Sequence, residues 1–319
     1  MVRFFLGFVL LLAVAGCAVA AEAQPVTFAW TPSAEDPQLA VALDKKLWTG
    51  LDVKAVSFPT GREAMEAMLG GQADFAAAAE LPAVVAAMRS QKFKILAILS
   101  RYKANRILAT TKLELHSVAD LAGKKVASTI GTNTDFALAW ELKKAGVKVE
   151  VVNVSPPDTV PALSRGDVDA AMTFPSFTDQ AKRVLGDRYR ELMTPGYVTH
   201  LVLMASADVL EKRPQAVAAF MAGIMKGDAV IAADPAVAQQ SVIRVVGGVL
   251  KADSLKANWV DYDYRTGLDA PLLSLMVEEG RWVKERGLIK NVEPTEALFR
   301  SFIADAPLKA LAPDRVKLP

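Results

Sequence analysis

The sequence predicts a two-lobed α/β fold, in which each lobe is a mostly parallel sheet flanked by helices and two crossing strands join the lobes. Segments typical of strands and of helices alternate along the chain, one strand–turn–helix pattern occurs twice, and two short apolar runs separate the copies. Such alternation indicates a parallel sheet, because a crossover, usually a helix, must connect two parallel strands. With 319 residues, 52% hydrophobic and 23% charged, the chain can bury a large core.

The first 23 residues have the pattern of a secretory signal peptide. Arg3 precedes an unbroken apolar run over residues 4–15, and small residues follow. The run is shorter than the ~20 residues of a membrane-spanning helix, and no later run is expected to match one. Val14-Ala15-Gly16-Cys17 resembles a bacterial lipobox, whereas Ala21-Glu22-Ala23 fits an ordinary signal peptidase site, and the sequence leaves both open. We therefore expect an exported, periplasmic protein that is either soluble or lipid-anchored through Cys17.

Charge and cysteine content exclude several classes of protein. The formal net charge is +2, and removal of residues 1–23 takes away one arginine and one glutamate, so the mature balance is unchanged. Binding to nucleic acid or to an anionic membrane needs a strong basic field, which this composition lacks. Cys17 is the only cysteine, so no internal disulfide can form.

The first unit begins with a strand, a polar turn and a helix. Asp36 is a natural N-cap for that helix, and Pro37 fits its first position. Further along, Thr60-Gly61-Arg62-Glu63 has the Thr-x-x-Glu form of a capping box. The strands of this unit are predicted at residues 26–30, 52–58 and 73–78.

A second unit repeats the first. A strand at residues 125–129 leads into a capped helix start at Thr132-Asn133-Thr134-Asp135, and the helix ends at Gly146. Short apolar runs at residues 107–110 and 201–204 are predicted to be the two joining strands. They divide the chain into one lobe of residues 25–110 plus 201–319 and a second lobe of residues 111–200. The part after residue 205 is expected to be mostly helical and to pack on the first lobe.

No catalytic or metal-binding motif is visible in the sequence. It contains no Gly-x-Ser-x-Gly elbow, P-loop, Gly-x-Gly-x-x-Gly or His-Glu-x-x-His pattern, and only two histidines, His116 and His200. His116 is expected at the surface, whereas His200 adjoins a joining strand and is a candidate for the cleft. We predict a protein that is not an enzyme and that uses no metal or cofactor.

The ligand is expected at the carboxyl ends of the parallel strands. The polar turns there begin helices, whose first-turn N–H groups lack intrahelical partners and favour anions. Thr129 to Thr134 is the strongest such turn. Asp36 and Glu80, with Arg62 and Arg101 within reach, indicate a zwitterion or a substituted organic anion, and Arg101 could hold a sulfonate or carboxylate through two parallel hydrogen bonds.

Several segments resemble the nitrate/sulfonate/taurine family of periplasmic binding proteins, in the type II class. The resemblance rests on residues 60–68 leading to Gly71-Gln72-Ala73-Asp74, on residues 120–127, and on residues 166–171, and it covers residues 25–220. It implies a monomeric solute-binding component that delivers a small molecule to an ABC permease. By position it carries the family's binding turns to Ser33, Thr60, Glu80, Thr132 and the segment Phe174-Pro175-Ser176. The family often has Trp near Phe174 and smaller residues near Glu80, and this departure argues against a simple inorganic anion.

Three alternatives remain open at this stage. A ligand sensor for a membrane receptor, a pyrimidine- or thiamin-precursor binding protein, and an enzyme of the same fold would share this architecture. The signal peptide and the scarcity of histidine and cysteine oppose the enzyme. The complete set of predicted ligand-binding residues is Ser33, Asp36, Thr60, Gly61, Glu80, Arg101, Thr129, Thr132, Asn133, Thr134, Phe174, Ser176 and His200.

Overall fold

The computed structural model describes residues 23–194, 196–247 and 250–319. The predicted signal peptide and lipobox, with Cys17, therefore lie outside the described residues except for Ala23. Two separate sheets form the centre of the molecule, one of six strands and one of five. The predicted α/β class is confirmed, and each sheet is flanked by helices.

The first sheet is built mainly from the N-terminal part of the chain. Its strand order is β11-β4-β10-β3-β1-β2, with β1 parallel to β2 and β3, and β10 antiparallel to β3 and β4. The elements up to the first crossing are β1 (Gln24–Trp30), α1 (Pro37–Asp44), β2 (Leu51–Ser57), α2 (Gly61–Leu69), β3 (Phe75–Ala79), α3 (Glu80–Met88) and β4 (Phe93–Tyr102).

The second sheet has the order β7-β6-β8-β5-β9. Strand β6 is parallel to β7 and β8, and β5 is antiparallel to β8 and β9. Both sheets therefore contain three parallel strands beside an antiparallel strand. The elements are β5 (Asn105–Thr110), β6 (Lys125–Ser128), α4 (Asn133–Ala145), β7 (Glu150–Asn153), α5 (Pro156–Arg165), β8 (Ala170–Met172), α6 (Thr178–Leu185) and β9 (Tyr189–Thr194), with short 3-10 helices at Val118–Leu121, Pro175–Phe177 and Gly186–Arg188.

The C-terminal part returns to the first sheet and is mostly helical, as predicted. Residues 268–269 and 316–317 also form a small two-stranded sheet. The elements are β10 (Thr199–Ser206), α7 (Ala207–Lys212), α8 (Pro214–Ala233), α9 (Pro235–Val246), α10 (Ala252–Asn258), β11 (Tyr262–Asp263), β12 (Leu268–Asp269), α11 (Ala270–Glu285), α12 (Glu296–Arg300), α13 (Ala306–Leu311) and β13 (Val316–Lys317), with 3-10 helices at Trp259–Asp261 and Pro313–Arg315.

The chain segments that connect the two sheets differ from the predicted joining strands. Strand β5, which contains residues 107–110, pairs along its length with β9 and lies wholly in the second sheet. Strand β10, which contains residues 201–204, lies in the first sheet between β3 and β4. The chain therefore crosses between Tyr102 and Asn105, and again between Thr194 and Thr199. Short apolar runs bounded by polar residues predict joining strands, but these two runs are apolar because they are buried inside the sheets.

An aromatic cluster fixes α8 against the first sheet. The Phe220 ring stacks on Phe75 at a centroid distance of 4.1 Å and on Trp48 at 5.1 Å. Within the described part of the chain, α8 is the one helix long and apolar enough to cross a membrane, and half of that stretch is buried. Its apolar residues therefore pack in the core. The sequence analysis predicts no apolar run of this length after the signal peptide, and α8 differs from that prediction.

Candidate functional site

A cavity of about 50 Å³ lies between the two units, at the carboxyl ends of their parallel strands. One water needs about 10–15 Å³ of such space, so the cavity suits a ligand of only a few heavy atoms. Six chain segments form its wall, together with the end of β3. The residues are Thr31, Ser33, Glu35 and Asp36 after β1, Pro59 to Arg62 at the start of α2, Pro82 in α3, Thr132 and Asn133 at the start of α4, Phe174, Ser176 and Phe177 after β8, and Leu201 of β10.

The start of α2 provides one polar wall. Thr60 is its N-cap, and a reciprocal capping box with Glu63 satisfies the Glu63 and Thr60 N–H groups. The first-turn N–H groups of Gly61 and Arg62 have no intrahelical acceptor. A Cβ at Gly61 would lie 2.8 Å from the Cβ of Ala78, so only glycine allows this helix start to rest on β3.

The start of α4 provides the facing wall, from the second unit. The Thr132 hydroxyl donates to the Thr129 carbonyl at 2.7 Å and lies 2.9 Å from the Thr134 hydroxyl. The Asn133 amide donates to the Thr199 hydroxyl at 3.4 Å. Because Thr132 makes no side-chain cap, the first-turn N–H groups at Asn133 and Thr134 remain available to an anion.

Two adjacent carboxyl groups form the third wall. Asp36 is only 3% exposed, and its Oδ1 has no hydrogen-bond partner within the described chain. Burial, reinforced by the neighbouring Glu35, raises the pKa of Asp36 well above its usual value. Burial also raises the pKa of Glu35 to about 7. The Thr31 hydroxyl, likewise buried, lacks a partner among the described residues. This wall can accept hydrogen bonds from a cation that the protein itself does not supply.

Arg62 joins the two units beside the cavity. Its Nη1 donates to the Ile130 carbonyl at 3.2 Å, and its Nε lies 3.8 Å from the Glu66 carboxylate on the same helix. Gly131 has a φ of +80°, and a Cβ there would approach Nη1 to 3.1 Å. Glycine at this position thus allows both the left-handed turn and the close approach of the guanidinium.

The structure brings most of the predicted turn residues together. Thr129 and Thr134 do not line the cavity, because their hydroxyls are used in holding the turn before α4. The predicted residues that do line it are Ser33, Asp36, Thr60, Gly61, Thr132, Asn133, Phe174 and Ser176.

Glu80 does not face the cavity, contrary to the prediction. It is fully buried, accepts the Tyr197 hydroxyl on one oxygen and accepts the His200 N–H at 2.7 Å on the other. Tyr197 also lies 3.3 Å from Glu279. Helix α3 begins directly after β3, so the side chain of its first residue turns into the protein instead of the crevice.

Arg101 and His200 also lie elsewhere. Arg101 binds the Asp269 carboxylate at 2.5 Å and lines a separate groove with Arg265 and Arg315. His200 is buried in β10, and burial, with nearby Arg101, lowers its pKa to about 4. Both residues therefore have structural roles in the first unit.

The predicted set lacks several residues that line the cavity, among them Thr31, Glu35, Arg62, Phe177 and Leu201. Thr31 and Glu35 belong to the same polar turn as Ser33, so that turn was the available signal. Leu201 was predicted only as part of a joining strand. Within the described ranges, no group of three or more His, Cys, Asp or Glu residues could hold a metal ion.

Comparison with known proteins identifies one matching family and a similar relative. Residues 48–238 match the NMT1/THI5 like family. Over 300 residues the chain is 27% identical to the taurine-binding periplasmic protein of Escherichia coli K12, covering 89% of this chain and 93% of that protein.

Solved structures show the same fold at lower sequence identity. The periplasmic aliphatic sulphonate binding protein SsuA of E. coli superposes with a TM-score of 0.72 at 20% identity, covering 88% of this chain and 97% of that one. The desulfurization enzyme DSZB superposes with a TM-score of 0.65 at 13% identity, and the match covers 91% of this chain and 100% of that one. The fold by itself therefore serves both binding proteins and an enzyme.

Proposed function

Because the chain belongs to the NMT1/THI5-like family, we propose that it is the solute-binding component of an ABC importer and that it captures a small sulfonate-like zwitterion in the cavity between its two units. The observation that carries this proposal is the meeting of two helix starts, those of α2 and α4, across one small cavity. Each start offers N–H groups without intrahelical acceptors and the positive end of a helix dipole. Together they suit a buried anionic group, and the Arg62 guanidinium beside the cavity adds a positive charge.

The opposite end of the ligand is an amine in this proposal. Asp36 is buried, its Oδ1 lacks a described partner, and Glu35 lies beside it. A protonated amine would satisfy both groups with charge-assisted hydrogen bonds. Taurine, a sulfonate joined to an amine by two carbons, combines both ends, and the E. coli relative is named for binding it.

The protein is proposed to bind its ligand without converting it. Neither histidine lines the cavity, and no cysteine occurs within its described lining. Nucleophilic catalysis requires a nucleophile within hydrogen-bonding reach of a base. The Ser33 hydroxyl lies within reach of the Asp36 carboxyl, but burial raises the pKa of that carboxyl well above its usual value and so favours the protonated form, which cannot accept a proton. The carboxyls of Glu35 and Asp36 are better explained as partners of a cation.

We propose that the protein acts in the periplasm as a monomer. Its proposed protein partner is the permease of the importer. We further propose two lobes that close on the ligand, one built on each sheet, with the passages after Tyr102 and Thr194 as the hinges. The lipid anchor on Cys17 remains a separate proposal, testable by mass spectrometry of the mature N-terminus.

Calorimetric titration with taurine tests this function. We expect saturable binding at one site and recovery of chemically unchanged taurine afterwards. Mass spectrometry of the compound released on denaturing freshly purified protein gives an independent answer. The proposal is wrong if taurine and simple alkanesulfonates produce no binding and no small anion is released, and a converted product would favour the enzyme.

A further inference from the structure

A second cavity adjoins the first on the far side of Glu35. It has a volume of about 30 Å³, and Glu35 and Ser176 line both cavities. Its remaining wall comes from β4, β11 and α10 of the first unit and from Arg106 and Asp179 of the second. We call this space the side chamber. Because Glu35 and Ser176 line both cavities, we expect a ligand that occupies both to contact these two residues.

Aromatic rings form one wall of the side chamber. Tyr102 and Tyr262 lie with their ring centroids 4.7 Å apart, and Tyr264 stacks behind Tyr262 at 5.0 Å. Ring faces attract a cation through their quadrupole, most strongly where water is excluded. The side chamber therefore favours a flat or compact cation over a neutral polar group.

The charges that line the side chamber are mainly acidic. Arg106 is the one basic residue in its described lining, and it is paired with Asp261 at 2.8 Å and with Glu191 at 3.5 Å. Its Nη1 also donates to the Tyr102 hydroxyl at 2.8 Å. Asp179 and Glu35 have no ion-pair partner within the described ranges, so their carboxylates are the groups left to be neutralised.

We propose that the side chamber is a second ligand subsite, which accepts a cationic substituent on the amine of the bound zwitterion, with a guanidino group as the best fit. This inference rests on the proposed function, because the anionic end of the ligand must occupy the first cavity. A guanidinium is planar, can contact the tyrosine side chains of the wall, and can donate two parallel hydrogen bonds to the Asp179 carboxylate. Glu35 then lies next to the linking nitrogen.

Titration with a matched pair of ligands tests this proposal. Taurine fills the first cavity only, whereas 2-guanidinoethanesulfonate extends the same sulfonate and linker into the side chamber. We expect the wild-type protein to bind the guanidino compound at least as tightly as taurine. Asp179→Asn should lower the ratio of the two association constants about tenfold, the effect of losing a hydrogen bond to a charged group. Asp187→Asn, an exposed change in the same unit, should leave the ratio unchanged.

Two results would contradict the proposal that the side chamber is a ligand subsite while leaving the proposed function intact. One is wild-type affinity for the guanidino compound more than tenfold below that for taurine. The other is an unchanged ratio in a folded Asp179→Asn variant. If neither ligand binds to the wild-type protein, the side chamber and the proposed function both fail.

Discussion

Asp36 combines burial with an unused acceptor, and this combination is costly in the empty protein. A buried carboxyl whose Oδ1 has no partner remains protonated unless a bound cation pairs with it. The cost of leaving such a group unpaired is comparable to the gain when a ligand pairs with it. Ligand selectivity at this wall can therefore be large even though the cavity is small.

Asp36→Asn should remove the preference for an amine. We expect wild-type protein to bind taurine more tightly than ethanesulfonate, which lacks the amine, by about ten- to a hundredfold, since a hydrogen bond to a charged group contributes about 1.5–3 kcal/mol. The variant should bind both ligands similarly. Calorimetric titration measures both affinities, with Asp52→Asn, an exposed change on β2, as the control. Retention of the full preference in the variant would exclude Asp36 as the amine partner.

Glu80 should affect the pH dependence of stability. Burial raises its pKa in the folded protein to about 7 from an ordinary value of 4.5, so between these values the folded state binds more protons than the unfolded state. The contribution of Glu80 is then fully present below about pH 4.5 and is lost as the pH rises through 7.

Glu80→Gln should remove that loss. Relative to wild type, the free energy of unfolding of the variant should rise between pH 4.5 and 7, because the variant lacks a buried carboxyl whose ionisation opposes folding in this range. Denaturant titrations across this range measure the difference. His200, whose pKa is lowered to about 4, gives the opposite slope from about pH 4 to 6.5, but it is present in both proteins and cancels. A constant difference at all pH values would contradict the raised pKa.

The position of Asp36 along the chain correctly predicted that it lines the cavity, whereas the same reasoning was wrong for Glu80. Asp36 ends a polar turn that leads out of the sheet, and such turns reach the crevice. Glu80 follows β3 with no turn, and its partners Tyr197 and Glu279 are more than a hundred residues away in the chain. A sequence alone does not show which distant side chains meet a buried carboxyl, so that network could not be predicted from it.

At the level of elements, the starts of α2 and α4 followed from local signals. Thr60 with Glu63 and Thr132 with the following polar residues predicted both helix starts, and the structure contains them at Gly61 and Asn133. The placement of β5 inside the second sheet and of β10 inside the first was not predictable, since a short apolar run has the same appearance in any buried strand. Strand pairing depends on distant partners, whereas a helix start is encoded within about four residues.

The start of α4 provides a direct test of the anion site. Asn133→Asp introduces a negative charge where helix dipoles favour one, so the stability of the ligand-free protein should be unchanged or higher. The same charge should repel the anionic end of the ligand and lower taurine affinity on the order of a hundredfold or more. Asn153→Asp is the matched control, because Asn153 accepts the Ile130 N–H at 3.0 Å and aspartate retains that acceptor. Melting curves and calorimetry separate the two effects, and unchanged affinity in Asn133→Asp would place the anion elsewhere.

On the scale of the whole molecule, α4 and α11 hold the two units together beside the cavity. Arg286 pairs with the buried Asp135 at 3.1 Å, and Lys143 lies 3.3 Å from Glu285. Asp135 also accepts the Gly131 N–H at 3.0 Å. The contact between the units thus shares Asp135 with the turn that begins α4, so we expect occupancy of the cavity to favour the proposed closure of the units.

Closure should be visible in solution as a smaller radius of gyration when taurine is bound. X-ray scattering of the wild-type protein with and without saturating taurine measures it directly.

Arg286→Leu removes the partner of Asp135 and should favour the open form, lowering taurine affinity roughly fivefold for a loss of about 1 kcal/mol. Arg281→Leu is the control, since Arg281 lies on the exposed surface of α11 and has no ion pair in the described part of the chain. At saturating taurine both variants should reach the compact radius, because ligand binding then outweighs the lost ion pair. An identical radius with and without ligand in the wild-type protein would mean that the two units do not move, and the Arg286 effect should then disappear as well.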